Sequence, residues 1–477
     1  MLNDLRNISY LLREPCEGFQ KCIERLQSTL QPFEFGRGLA SLPDNLLAYI
    51  FKLILDHWAG FLRPKIRVDL SLVCYRFRSV LLGTPRLWNK ISTDNHDFHV
   101  LDLCLQRSKT AGLCVDISCY EWGDWEVVFG DKPSPLPESI QAFHALLSHC
   151  DRWEGIYLHL HRTDLDTPVG YLSGLRLPRV EHLVIEYSNE PVWYPLPPSD
   201  HFYTTCELPN LRTLHILYTV PLPFSCPALK SLSISTENID FVPAPILHFL
   251  DVTQTLEEVA LHVTTGKAIH STEDLQNITL PNIKTLKISM RPTSLGVLMP
   301  LRKALHTPNV QKIELVIDGR VDYCEKGASH VDRFRSRYLN FFMFCHKEYP
   351  ALDEFRFEYH ANTHRDHRPE RYDIPFPKIP GLRVLKLDTD TMVPNVIPGD
   401  ETLPSLSHIY PGSFSSECLK WLRSVHRLLS EQDKLLGLKA IFIEREKGWD
   451  NWDNRFNDHF PGTRVIWSGY ERRLDGS

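Results

Sequence analysis

The chain has 477 residues, 43% hydrophobic and 23% charged, the balance of a globular protein with room for a small domain beside a larger one. The formal net charge is −6, which gives no general attraction to nucleic acid or to an anionic membrane surface. No apolar run reaches the length of a bilayer span, and MLNDLRNISYLLREP at the start lacks an unbroken apolar core of signal-peptide length.

Twelve cysteines are scattered without any C-x-x-C. Cys22, Cys74, Cys150 and Cys345 fall inside apolar patterns, where a free thiol packs as a small hydrophobe. An intracellular protein with reduced cysteines, in the cytoplasm and/or nucleus, is therefore expected. The sequons at Asn7 and Asn277 are then read as chance.

Residues 1–38 read as a helical segment and linker. Phe19, Cys22, Ile23, Leu26 and Leu30 have helical spacing, and Pro32 with the glycines of FEFGRGLA marks the linker. Residues 39–92 form a second block. Ser41 or Asp44 can cap a helix whose first turn accepts Pro43. Over residues 46–55 the apolar side chains cover an arc roughly 200° wide, about twice what one core contact needs. In LSLVCYRFRSVLLGTPRLWNKIS, residues 70–92, the spacing predicts a helix with Leu70, Val73, Cys74, Phe77, Val80 and Leu81 on one stripe. Gly83 stops it, Thr84-Pro85 redirects the chain, and Leu87-Trp88 leads into a strand. A body of about fifty residues is marginal alone. Its surplus apolar surface calls for cover, either by the rest of the chain or by a partner.

The run Leu42-Pro43-x-x-Leu46-Leu47-x-x-Ile50-Phe51, then Leu72-Val73-Cys74-x-x-Phe77-Arg78, then Thr84-Pro85-x-Leu87-Trp88 resembles an F-box. It is most similar to the F-box-like form of large fungal families, with a TP-x-LW segment after the second helix. The sequence departs from that pattern at Asn45, where the family carries an acidic residue, at Phe77, where it usually carries tryptophan, and in an insert over 56–68. The resemblance implies a three-helix unit that docks onto the Skp-type adaptor of an SCF ubiquitin ligase. The contacts it implies are Leu42, Pro43, Leu46, Ile50, Val73, Cys74, Phe77 and Trp88, some of which must also hold the unit's own core.

From about residue 149 a unit of the form P-x-[LIV]-x-x-L-x-[IL] recurs. Clear copies are LPRVEHLVIEY, LPNLRTLHILY, CPALKSLSIST, LPNIKTLKISM, TPNVQKIELVI, YPALDEFRFEY and IPGLRVLKLDT. Weaker ones are CDRWEGIYLHL, TLEEVALHVTT and LPSLSHIYPGS, with LKAIFIE as a last strand. Pro281 and Pro308 are 27 residues apart and Pro350 and Pro380 are 30 apart, while other spacings run from 18 to 42. Periods of this size indicate stacked repeats whose alternate strand residues face a shared core. The strand pattern is similar to that of degenerate leucine-rich repeats. Between strands, helical stripes are expected at 140–150, 295–305, 331–345 and 418–429.

The fold class expected is α/β: a small all-α F-box unit, then over 93–477 an irregular leucine-rich-repeat solenoid with a parallel sheet and a C-terminal cap. Trp449, Trp452 and Phe456 are assigned to that cap. Outward strand residues Arg212, Thr213 and His215, with Lys284, Thr285 and Lys287, are candidate target contacts, and His159 and His161 share an outward face. His360, His364 and His367 stand at metal-ligand spacing, but Pro369 and the surrounding charge favour a solvated loop, so no metal is expected. Arg333, Arg335 and Arg337 read as the solvated face of a helix. No nucleophile elbow, P-loop, zincin or dinucleotide fingerprint occurs, so neither catalysis nor a cofactor is expected. The expected function is that of a substrate receptor of an SCF-type ligase, joined through the adaptor to a cullin-RING ligase and binding an unidentified target protein. The alternative is a repeat-protein interaction scaffold, outside ubiquitin-ligase assembly, whose helical block merely caps the repeats. Nucleic acid and membrane are not expected partners.

Overall fold

The computed structural model describes residues 42–57, 63–93, 98–119, 138–160, 171–187, 205–218, 224–236, 243–264, 276–291, 301, 303–318, 349–360, 370–372, 374, 376–389, 392–395, 397, 402–411, 416–444 and 459–468. The protein is mixed α/β with a long parallel sheet. Its contacts divide it into two compact units, one of Met1–Ser118 with Lys132–Glu154, the other of Cys119–Asp131 with Gly155–Ser477. The sequence-based boundary at residue 92 thus falls inside the first unit.

The first unit contains helices α1 (Asp44–His57), α2 (Arg63–Val73) and α3 (Tyr75–Gly83), then a short 3-10 turn Pro85–Leu87 and strand β1 (Lys90–Ser92). Helix α4 (Phe98–Ser108), strand β2 (Leu113–Cys119) and helix α5 (Glu138–Leu147) follow. β1 and β2 pair in parallel, Ile91 opposite Val115. The stretch read as one helix from Leu70 is broken at Cys74, whose φ of −161° and ψ of 167° are extended. Its thiol caps the new helix by accepting a hydrogen bond from Phe77 N at 3.4 Å. The break has two consequences. Residues 63–68 of what read as an insert over 56–68 become the start of α2, and Val73 leaves the inward stripe while Phe77, Val80 and Leu81 remain on it.

The second unit is built on parallel strands that lie side by side in chain order. They are β3 (Trp153–Leu160), β4 (His182–Tyr187), β5 (Thr213–Leu217), β6 (Ser231–Ser235), β7 (Glu258–Val263), β9 (Thr285–Met290), β11 (Lys312–Asp318), β12 (Glu354–His360), β14 (Val384–Thr389), β16 (His408–Tyr410), β17 (Ala440–Glu444) and β18 (Arg464–Ser468). Two small ladders stand apart from this sheet: β8 (Ile278–Thr279) with β10 (Leu305–His306), and β13 (Glu370–Tyr372) with β15 (Met392–Pro394). Helices α6 (Pro243–Val252) and α7 (Ser416–Glu431) lie between strands. Alternate strand residues are buried, as in β11, where Ile313, Leu315 and Ile317 point to the core. The aliphatic residues of the repeat motif meet on this face because side chains alternate with a period of two.

The proline of the motif has a specific place. It sits second in a four-residue turn closed by bonds such as Leu211 N to Leu208 O at 3.2 Å, Leu352 N to Tyr349 O at 3.2 Å and Leu382 N to Ile379 O at 3.1 Å. That position favours the fixed φ of proline. After the turn, one carbonyl per repeat accepts two N–H groups of the next repeat. Glu181 O takes Arg212 N and Thr213 N, Lys284 O takes Gln311 N and Lys312 N, and Ser407 O takes Lys439 N and Ala440 N. Asparagine adds a side-chain link where it follows the proline. Asn210 donates to Pro178 O at 2.6 Å, and Asn309 donates to Pro281 O at 2.9 Å.

Of the expected return helices, α5 and α7 are seen; those at 331–345 lie outside the described residues, as do residues 1–38, Trp449, Trp452, Phe456, His161, His364, His367 and Arg333, Arg335 and Arg337. β18 and α6 were not read from the sequence. Among the described residues no helix is long and apolar enough to cross a membrane.

Two predictions follow from this packing. Gly381 takes the place that asparagine holds in other repeats, and a Cβ there would stand 2.5 Å from Pro350 O and 3.2 Å from Leu352 O. Gly381→Ala should lower stability by about 1–3 kcal/mol in urea unfolding. Gly437→Ala, whose nearest atom would be Leu406 O at 3.9 Å, should be neutral or slightly stabilising. On α7, His426 is buried against Phe460, ring centroids 5.4 Å apart. Burial holds its pKa below the ordinary 6.5. The unfolded chain then binds the proton more readily, so the stability from this group is present above pH about 6.5 and is lost as pH falls. His426→Leu should flatten the dependence of melting temperature on pH between about 7.5 and 5.

Candidate docking surface of the helical unit

Helix α1 divides its apolar residues between two faces. Leu47, Phe51 and Leu55, at i, i+4 and i+8, are buried. Leu46, Tyr49 and Leu53, at i, i+3 and i+7 on the other side, are 45%, 58% and 50% exposed. Ile50 and Ile54 lie half-buried between them. The broad apolar arc of the sequence is thus one core stripe and one outward stripe. On α2 and the start of α3, Val68, Leu72, Val73 and Tyr75 are also exposed, and so is Leu82 near the end of α3. Thirteen large hydrophobic residues are exposed among the described residues, and eight of them fall within 44–83. Such a concentration in so short a segment exceeds the single exposed leucines that any surface carries.

The inward side explains how that face is held. Phe51 meets Phe77 edge to face, ring centroids 4.9 Å apart and planes at 67°. Trp88 is buried and donates its Nε1–H to Leu81 O at 2.7 Å, tying the Leu87-Trp88 segment to α3. Arg67, a residue that periodicity did not single out, is 2% exposed. Its Nε–H donates to Leu87 O at 2.8 Å and Nη2 to Lys90 O at 2.9 Å, while Nη1 reaches Cys104 Sγ at 3.4 Å. The guanidiniums of Arg67 and Arg107 lie 5.4 Å and 4.3 Å from the Trp88 ring centroid. Burial pushes the Cys104 thiol pKa up, partly offset by these two arginines. Arg76 fastens the start of α1 through Leu42 O at 2.6 Å and Asp44 Oδ1 at 2.8 Å.

The candidate contacts therefore separate. Pro43, Leu46 and Val73 are exposed, and Leu42, Ile50 and Cys74 are half-buried. Phe77 and Trp88 are core residues whose effect on any surface is indirect. Arg67 lies in what read as an insert, and polarity alone places arginine outside.

The second candidate set lies in the other unit. Thr213 and His215 stand on β5, and Thr285 and Lys287 on β9, with His215 exposed and the other three half-buried on the polar face of the sheet. Arg212 and Lys284 precede those strands and are exposed. Three of the cations already have acidic partners: Arg212 with Glu181 at 3.8 Å, Lys284 with Glu257 at 2.6 Å, and Lys287 with Glu258 at 2.8 Å. Lys284 and Lys230 flank Glu257 and hold its carboxyl down at about 2. These residues line a surface depression of about 370 Å³ with Pro227, Ala228, Thr255 and Asn282. Further along the same face, Glu314, Lys312, Glu354 and Lys386 form a compensated chain, and Tyr410 stacks on Phe442 at 4.3 Å. His159 pairs with Glu186 at 3.0 Å, and His360 lies 3.7 Å from Glu358.

Arg67→Met should destabilise the first unit by about 2–4 kcal/mol, because it strands one buried and one part-buried carbonyl while preserving bulk. Arg67→Lys should recover only part of the loss, since an ammonium lacks the fork that reaches both acceptors. Thermal unfolding of the full chain checks both. A scan against protein-family models finds no match for the chain, and a search of curated proteins finds none either.

Proposed function

We propose that residues 39–92 are an F-box-type docking module, that the strands of the second unit are degenerate leucine-rich repeats of a solenoid, and that the chain is a substrate receptor of an SCF-type ubiquitin ligase. In this reading the module binds the Skp-type adaptor, through it the cullin-RING ligase, and the repeats hold the target protein. The chain supplies no bond-making chemistry. It raises the local concentration of a bound target near a ubiquitin-charged enzyme.

The observation that carries the reading is the outward stripe Leu46, Tyr49 and Leu53, together with Leu72, Val73 and Tyr75. A block that served only to cap the repeats would keep its apolar arc covered within the chain, and Leu46 and Leu53 are half exposed. Burying one such leucine is worth about 1.5–3 kcal/mol, so a few of them suffice for a specific complex. The resemblance across residues 42–88 supports the adaptor as the partner, and the exposed side chains support this face as its surface.

The test is binding of the full chain to the purified Skp-type adaptor of the same organism. Leu46→Ala with Leu53→Ala should weaken binding by about 2 kcal/mol or more, roughly 30-fold, while circular dichroism and melting temperature stay near those of the parent. Phe77→Ala, a core change, should instead cost about 3–5 kcal/mol of stability. Failure of the folded parent chain to bind the adaptor would overturn the ligase assignment.

A further inference from the structure

We infer that the exposed apolar face of α1–α3 is matched to an acidic protein, one whose apolar groove is edged by Asp and Glu side chains. This rests on the adaptor reading and adds the chemistry by which that partner is selected.

Residues 39–92 contain eight Lys or Arg and three Asp, with no Glu, in a chain whose acids outnumber its bases. Several of these charges are accounted for internally. Arg67 is buried on carbonyls, Arg76 pairs with Asp44 at 2.8 Å, and Lys90 pairs with Asp56 at 2.5 Å. Apart from Arg63, whose side chain lies outside those described, Lys52, Lys65, Arg78 and Arg86 remain on the surface, opposed by Asp69, which stands four residues after Lys65 and can offset one of them. Arg78 also donates to Ser71 O at 3.1 Å, a bond that leaves its charge in place.

The positions of these cations matter as much as their number. Lys52 is next to Leu53, Lys65 is three residues before Val68, Arg78 three after Tyr75, and Arg86 four after Leu82. Each of these exposed cations thus stands within four residues along the chain of an exposed apolar side chain. An apolar face with a cationic rim repels partners of like charge and draws acidic ones, chiefly by speeding encounter.

Two other classes of partner fit less well. Phosphate backbones would cover Leu46, Leu53 and Leu72 without giving them an apolar surface to meet. A helix lying in a membrane interface needs a polar face opposite its apolar one, and opposite Leu46, Tyr49 and Leu53 are Leu47, Phe51 and Leu55, which the unit's own core already uses.

The experiment is association and dissociation kinetics of the full chain with the purified Skp-type adaptor at about 50 and 300 mM salt. The parent should lose about tenfold or more in association rate at the higher salt, with dissociation changing little. Lys52→Glu with Lys65→Glu and Arg86→Glu, verified as folded by circular dichroism and melting, should associate at least tenfold more slowly at the lower salt. Adaptor binding whose association rate is insensitive to both salt and these substitutions would overturn the acidic-partner inference and leave the adaptor reading standing. No binding by the parent at either salt would overturn both. Binding to phosphatidylcholine vesicles with about 30% phosphatidylserine, or to duplex DNA, as tight as to the adaptor and lost in the same variant, would also overturn the inference.

Discussion

The long sheet depends on one carbonyl per repeat. Placed in most repeats just after a proline-led turn, it accepts two N–H groups from the chain that begins the next strand, as Lys284 O does for Gln311 and Lys312. This fork sets where each strand starts relative to its predecessor. With that start fixed, the alternation of side chains delivers the aliphatic residues of every strand to one face. Helices, longer loops and the irregular spacings between repeats are then free to vary, because none of them sets the register.

A different device organises the helical unit. Instead of a repeated backbone bond, a single buried arginine gathers the carbonyls of Leu87 and Lys90, lies near the Trp88 ring and reaches Cys104. A charge is tolerated there because each guanidinium nitrogen finds an acceptor, and the cost of desolvating it is offset by bonds that join α2, the Leu87-Trp88 segment and α4. With these elements fixed from inside, α1 has no need to bury its whole apolar arc. Leu46, Tyr49 and Leu53 are left outward, so the same architecture that stabilises the unit leaves an apolar stripe exposed.

The two units present contrasting surfaces. On the described sheet the charged residues largely answer one another, Lys287 with Glu258 and Lys386 with Glu354. On the helical unit the surface cations are in excess and border exposed hydrophobic side chains. The first arrangement favours selectivity through shape and hydrogen bonding, since a partner must compete with existing pairs. The second favours rapid capture of an oppositely charged body.

The sequence by itself determined what depends on neighbours close along the chain. The proline of most turns, the alternating aliphatic residues of the strands, the helical stripe that became α7 and the inward set Phe77, Val80 and Leu81 were all legible, because each follows from local backbone geometry and side-chain period. Only the tertiary structure decided which half of the α1 arc faces outward, since Leu46 and Leu47 are chemically alike and differ only in what lies across from them. It also decided the break at Cys74, where an extended residue interrupts an apolar pattern that continues on both sides, and the burial of Arg67, whose acceptors arrive from residues 20 and 23 positions away. Trp88 belongs with these: its spacing marked it as important, but its role inside the core was set by the carbonyl of Leu81 and the guanidiniums that surround it. The reason is common to all four. Local periodicity reports whether a residue is apolar and which of its neighbours share a face, whereas burial depends on which distant segments arrive to cover that face.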